Sequence, residues 1–126
     1  LSCVRSGHCE LQELARELGV EDEGYYDGET TPSEIDTSAA HMIRDNSKCI
    51  LCRRCVAVCS EVQGIGVIGA NNRGFATEIG SAFGMGLGET SCVSCGQCIA
   101  VCPTGAFRKR TARPRYLQPL QILPSM

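Results

Sequence analysis

At 126 residues the chain has room for one domain, or a small domain with appendages. Aromatic residues make up 5%, tryptophan is absent and ten residues are cysteine. A large aromatic core is therefore excluded, and staples of another kind are expected. The net charge of −2 hides a segregation: residues 10–36 carry ten acidic side chains against Arg16 alone, and residues 108–115 carry five basic ones and no acid. No stretch reaches the roughly 20 apolar residues of a membrane-spanning helix.

Residues 1–8 read as a loop holding Cys3, Gly7 and His8. From Cys9 to Leu18 the pattern is helical: Leu11, Leu14, Ala15 and Leu18 share one face, and Gly19 stops the run as a residue just past a helix end does. Residues 20–41 are acidic, with little apolar period, and read as an exposed connector that Tyr25 and Tyr26 pin to a neighbour. Residues 42–46 predict a short strand, and Cys55 to Val62 a short helix. Residues 65–69 and 75–79 are β-prone pieces around Asn71-Asn72-Arg73-Gly74, the pattern of a hairpin turn. Residues 80–91 form a glycine-rich loop. A second short helix starts at Cys98 and is ended by Pro103-Thr104-Gly105.

Two of these segments are copies of one another. Cys49-Ile50-Leu51-Cys52-Arg53-Arg54-Cys55-Val56-Ala57-Val58-Cys59 returns 43 positions later as Cys92-Val93-Ser94-Cys95-Gly96-Gln97-Cys98-Ile99-Ala100-Val101-Cys102, followed by Pro103. Both read C-x2-C-x2-C-x3-C, the run that binds 4Fe–4S clusters. Three cysteines at three-residue steps let one loop curl around a cubane and offer a thiolate to each of three irons. The fourth sits a helical turn further on and points away, so it ligates the other cluster. Crossed ligation is the consequence: Cys49, Cys52, Cys55 and Cys102 hold one cluster, and Cys59, Cys92, Cys95 and Cys98 hold the other. Disulfides would need an oxidising compartment, and tight C-x2-C-x2-C spacing suits several bridges poorly. Zinc ribbons separate two C-x2-C knuckles by a longer spacer, whereas here four cysteines crowd into eleven residues, twice.

The repeat predicts an α+β fold, a bacterial two-cluster ferredoxin-like domain made of two β–loop–α–β halves related by a pseudo-twofold. Its expected bounds are residues 42–107. Residues 1–41 precede it as a helical and irregular segment with the acidic connector, and 108–126 follow as an unstructured basic tail. Gly64-Ile65-Gly66-Val67-Ile68-Gly69 matches G-x-G-x-x-G as a string, but it follows a cluster helix instead of a strand and leads into a turn, so it is not read as a nucleotide site. Arg108-Lys109-Arg110-Thr111-Ala112-Arg113 has no aromatic platform beside it and is read as solvated chain, not a nucleic-acid patch.

The segment from Cys49 to Gly105 resembles the two-cluster module of iron-only (FeFe) hydrogenases of the NAD(P)-linked, electron-bifurcating type. The resemblance rests on the two cysteine runs, on Val62-Gln63-Gly64, on Asn72-Arg73-Gly74-Phe75 and on Gly88-Glu89-Thr90. Residues 1–20 extend it. Cys3 and Cys9, followed by Glu10-Leu11-Gln12-Glu13-Leu14, are similar to the end of the family's H-x3-C-x2-C-x5-C segment, which binds a further cluster through one histidine and three cysteines. The histidine and first cysteine of that pattern would precede residue 1, and His8 and His41 read as ordinary exposed histidines. A third cluster is expected only in a complete parent protein. The family's hydrogen-activating cysteines would lie beyond residue 126, so no residue here is assigned bond-making chemistry and the chain is expected to be a fragment of a larger oxidoreductase. After Ala106 the resemblance stops. A two-base shift in a plausible coding sequence restores the family's continuation, so residues 108–126 are expected to be a frameshift product not shaped to pack.

What the resemblance implies is an electron relay between a flavin/NAD(P)-linked or ferredoxin redox partner subunit and the catalytic domain of a hydrogenase, in the cytoplasm, where thiols stay reduced. Two other readings stay open: the similar block of an NAD-dependent formate dehydrogenase, and a structural or sensory iron–sulfur binding module.

Overall fold

The computed structural model describes residues 3–21, 28 and 33–111. Helix α1 spans Glu10–Glu17, as the apolar spacing predicts. Extended Cys9 precedes it, Glu10 and Glu13 sit in its first turn and Arg16 in its last, which matches the helix dipole. Gly19 leaves with φ +65°. None of its residues is buried, so its leucine stripe does not join the core formed by the described residues.

Five short strands follow: β1 (Ile35–Asp36), β2 (Met42–Asp45), β3 (Gly69–Asn71), β4 (Glu78–Gly80) and β5 (Phe107–Lys109). Helices α2 (Arg54–Ala57) and α3 (Gln97–Val101) follow the two cysteine loops. One antiparallel sheet has the order β1-β2-β5, with Ile35 opposite Asp45, Arg44 opposite both Asp36 and Phe107, and Met42 opposite Lys109. The other is the β3-β4 hairpin, with Ala70 opposite Ile79. Each half of the repeat thus pairs its first strand with the other half's last, β2 with β5 and β4 with β3. That exchange is what a pseudo-twofold pair of β–loop–α–β units requires, and it yields a small mixed helix and sheet fold.

The structure departs from the sequence reading at three places. Strand β1 lies inside the segment read as exposed connector, because Asp36 and Arg44 meet across the sheet. The hairpin strands begin later than 65–69 and 75–79: Ile65, Val67 and Ile68 line a cavity wall instead of pairing. Asn72 (φ 59°) and Gly74 (φ 62°) make the turn between β3 and β4. Strand β5 crosses the expected boundary at residue 107. Arg108 and Lys109 pair with Ile43 and Met42, the Arg110 amide donates to the His41 carbonyl at 2.9 Å, and its guanidinium donates to the Thr37 carbonyl at 3.0 Å. The side chains of this basic run are exposed while its backbone is paired, so composition alone reads it as solvated tail. Residues 112–126, and with them most of the expected tail, lie outside the described residues, as do Tyr25 and Tyr26.

The core is thin. Met42, Ile68, Ile79, Leu87 and Phe107 are its large buried members, and Phe75 and Phe83 are exposed. Cys55, Cys59 and Cys98 complete the same cluster. The cysteine loops are therefore the centre of this fold.

Candidate metal centre

The two loops share their backbone conformation as well as their spacing. Leu51 (φ 56°) and Ser94 (φ 56°), each just before the second cysteine, are left-handed, and so are Arg53 (φ 58°) and Gly96 (φ 74°) just after it. Three of these four carry a Cβ, and such residues cost of order 1–3 kcal/mol each in this region. Left-handed residues repeated at matching positions give the two loops the same curl. The Leu51 amide already reaches Cys49 Sγ at 3.4 Å.

The fourth cysteines differ because their neighbours do. Pro103 follows Cys102 and cannot continue a helix, so Cys102 is extended (φ −75°, ψ 112°). The chain then doubles back through Gly105 (φ +73°), which aims the amides of Phe107, Thr104 and Ala106 at Cys102 Sγ. Thr104 Oγ1 lies 3.8 Å from the same sulfur. Ser60 follows Cys59 and permits helix, and Cys59 sits in a π-turn over Val58–Val62 whose carbonyl accepts the amides of Ile65 and Gly66. A π-turn is a common device for re-aiming a functional side chain.

Both fourth cysteines cross over. Cys102 stands where its charge acts on Cys49 and Cys55, in the company of Cys52. Cys59 lines a small, mostly apolar cavity with Cys92, Cys95 and Cys98, closed by Met42, Ile65, Val67 and Ile68. Cys98 Sγ and Met42 Sδ are 3.8 Å apart. Cys55 also acts on Cys98, so the two cysteine sets adjoin. Among the described residues, no three His, Cys, Asp or Glu side chains form a site for a single metal ion. A lone zinc needs its ligands converging at about 2.3 Å, whereas a cubane takes one thiolate per iron and holds its ligands apart. The donor set is eight thiols in two groups, one of them lining a small apolar cavity, with backbone amides on Cys49, Cys55, Cys98 and Cys102, and it fits the 4Fe–4S group.

Electrostatics repeat across the two sets. Burial pushes the Cys55 and Cys98 thiols up to about 11, only partly opposed by the amides of Val56 and Ile99. Burial raises Cys49 as well. Burial also acts on Cys102, but the amides of Phe107, Thr104 and Ala106 and the Thr104 hydroxyl outweigh it and hold that thiol below its ordinary value. Cys52 and Cys95 are the exposed members of the two sets.

Cys3 and Cys9 lie outside both cradles, half-buried, at the two ends of the loop before α1. That loop docks beside the second cysteine run: the Val4 amide donates to the Thr104 carbonyl at 3.2 Å, and Val4 Cγ1 occupies the space a Cβ on Gly105 would need. Sequence reasoning had no signal for this contact, which depends on packing of neighbours 100 residues apart. His8 and His41 are exposed. The G-x-G-x-x-G string leads into strand β3 and opens no helix.

Residues 48–106 match a family described as 4Fe-4S dicluster domain, and residues 1–23 match one described as NADH-ubiquinone oxidoreductase-G iron-sulfur binding region. The chain is 50% identical over 106 residues to the NADP-reducing hydrogenase subunit HndD of Solidesulfovibrio fructosivorans, which covers 84% of this chain and 18% of that protein. It is 33% identical to NADH-quinone oxidoreductase subunit 3 of Thermus thermophilus, covering 89% of this chain and 16% of the relative. The crystal structure of an NAD+-reducing NiFe-hydrogenase in the H2-reduced state matches with a TM-score of 0.68 at 31% identity, over 88% of this chain and 47% of that one. The chain spans less than a fifth of the length of these two curated relatives. It carries a 4Fe–4S iron–sulfur module homologous to segments of hydrogenase and NADH-quinone oxidoreductase subunits. Among the described residues, no helix is long and apolar enough to cross a membrane.

Proposed function

We propose that the chain is a two-cluster relay, with one 4Fe–4S cluster on Cys49, Cys52, Cys55 and Cys102 and the other on Cys59, Cys92, Cys95 and Cys98. The observation that carries this reading is the swapped placement of the fourth cysteines: Cys102 beside the first loop, Cys59 in the cavity of the second. When bound, each cluster supplies one reversible electron. The chain's own residues hold the sulfurs, exclude water with Met42, Ile65, Val67 and Ile68, and place amide dipoles on Cys102. Exposed Cys52 and Cys95 give each cluster an edge that a partner can approach.

The relay connects a flavin/NAD(P)-linked or ferredoxin partner to the catalytic site of a hydrogenase of the FeFe type, in a reducing cytoplasm. The 50% identity to an NADP-reducing hydrogenase subunit favours that parent. The match of residues 1–23 to the NADH-ubiquinone oxidoreductase-G region favours a second reading, the same relay in a complex I-like subunit. Sequence downstream of residue 126 in the parent gene decides between them, by the presence or absence of hydrogen-activating cysteine motifs. The relay itself is tested by anaerobic reconstitution. Iron and acid-labile sulfide each reach roughly eight per chain, given four irons and four sulfides per cubane, and both clusters cycle reversibly with a low-potential dye. Stoichiometric zinc without sulfide sinks the reading. Intact clusters that do not cycle, but whose loss changes partner binding, favour a structural or sensory role.

A further inference from the structure

One buried cation lies outside the cysteine cradles. The Arg44 side chain, in β2, is 11% exposed, and among the described residues its Nε and Nη1 have no hydrogen-bond partner. Its Nη2 lies 3.5 Å from Asp36 Oδ2. A buried charge with one loose partner is a weak source of stability, so packing alone gives little reason for it.

The sheet order gives this charge a direction. Asp36, Arg44 and Phe107 are direct partners across β1, β2 and β5 and form one row. At the outer end, the Asp36 carboxylate is also taken by the amides of Leu87 and Ser38 and by the Ser38 hydroxyl. At the inner end, the Phe107 amide bonds Cys102 Sγ. The negative charge thus lies on the far side of Arg44 from Cys102. Gly80, across in the hairpin, leaves the guanidinium its space: a Cβ there would stand 3.3 Å from Arg44 Nη1 and 2.7 Å from Asn71 Nδ2.

We infer that Arg44 sets the redox balance between the two clusters, as a buried positive charge that selectively stabilises the added electron on the cluster cradled by Cys49, Cys52, Cys55 and Cys102. The inference rests on the two-cluster reading above. One electron from a reduced flavin or a low-potential dye takes a cubane with four thiolates from a charge of roughly −2 to −3; no bond breaks and no proton is required. A cation at a separation of about 10 Å, in an effective dielectric of about 20, multiplies the ratio of reduced to oxidised cluster roughly tenfold. Asp36 opposes part of that, leaving about threefold to tenfold. Arg44 is a positioning charge, not a ligand, and the amides on Cys102 act in the same direction.

The test uses the full chain, reconstituted anaerobically, with iron and sulfide counted and both clusters titrated by electron paramagnetic resonance; Cys59→Ser marks which signal belongs to which cluster. In Arg44→Met, the reduced-to-oxidised ratio of the Cys49–Cys102 cluster falls about threefold to tenfold at fixed potential, tenfold being 59 mV for one electron, and the other cluster shifts less. Arg44→Lys, which keeps the charge, recovers most of the shift. Asp36→Asn shifts the same cluster the opposite way. With two clusters intact, equal shifts in both signals or none in either overturn the inference. If Arg44→Met loses its clusters, Asp36→Asn decides: a larger rise in the signal of the Cys49–Cys102 cluster supports the inference, and an equal rise in both or none overturns it. Fewer than two cubanes in the parent chain overturn the relay reading, and the inference with it, and the iron count identifies that case.

Discussion

The backbone amide of Leu87 donates to the Asp36 carboxylate at 2.8 Å, joining residues 51 positions apart. Asp36 belongs to an acidic stretch, yet it is half-buried, and Leu87 is among the most buried side chains of the core. Gly88 donates in turn to Ser38 Oγ at 2.9 Å. The acidic segment therefore fixes the glycine-rich loop that delivers Cys92, through side-chain acceptors on Asp36 and Ser38 that take the loop's backbone amides.

That junction has no spare room. A Cβ on Gly88 would stand 2.4 Å from the Ser38 carbonyl oxygen, which is backbone and cannot swing aside. Gly88→Ala is expected to cost about 1–3 kcal/mol, the usual range for overpacking. An anaerobic thermal melt followed at the cluster absorbance checks this, and an unchanged melting temperature contradicts it.

Crossed ligation predicts an unusual phenotype for Cys59→Ala. The first run, Cys49–Cys55 with Cys102, keeps all four ligands, and the paramagnetic signal that changes is that of the cluster on Cys92, Cys95 and Cys98. Selective loss of the Cys49–Cys55 cluster would show that Cys59 serves its own loop.

Cluster uptake should release protons. Burial pushes Cys55 and Cys98 up to about 11, so both are neutral thiols at pH 7 in the metal-free protein. Iron binds thiolate, so uptake expels at least these two protons. A raised pKa means that neutral thiol stabilises the metal-free fold below the ordinary value of 9.0, and that this contribution is lost as pH rises through about 11. Loading is therefore favoured as pH rises from 7 to 9. Proton release in a weakly buffered reconstitution measures the effect, and loading that falls over that range contradicts it.

The left-handed positions are predicted to respond according to Cβ alone. Nothing lies within 4 Å of a Cβ built on Gly96, so Gly96→Ala meets only backbone strain and costs about 1–2 kcal/mol. Arg53→Gly at the matching position of the first loop relieves the same strain and leaves two clusters in place. Chemical denaturation of the loaded protein compares the two. A Gly96→Ala protein as stable as the parent counts against the left-handed geometry.

Truncation locates the real end of the domain. Ending the chain after Thr111 keeps β5 and is expected to leave iron and sulfide content unchanged. Ending it after Ala106 removes buried Phe107, the partner of β2 and an amide donor to Cys102, and is expected to cost the cluster on Cys49, Cys52 and Cys55. Equal sulfide content in the two truncations would restore residue 107 as the boundary.

The cysteine repeat was legible because it acts at short range: cysteines three residues apart sit on one loop whose left-handed turns recur at matching positions, and the repeat carries over into two related halves. Helix α1 was legible for a similar reason, since its apolar positions and terminal Gly19 are all within ten residues of one another. The departures all involve partners distant in sequence. Strand β1 exists because Asp36 meets Arg44 and Leu87, and β5 because β2 has an edge to fill; an acidic stretch and a basic run look equally solvated until the sheet supplies those partners. Ile65 and Val67 have the composition of strand residues, but the cavity around Cys59 took them for its wall. Sequence determined which thiols stand in the two repeated loops. Only the tertiary structure decided where a buried charge and a set of backbone amides stand relative to them, because electrostatics depends on distance through space and not along the chain.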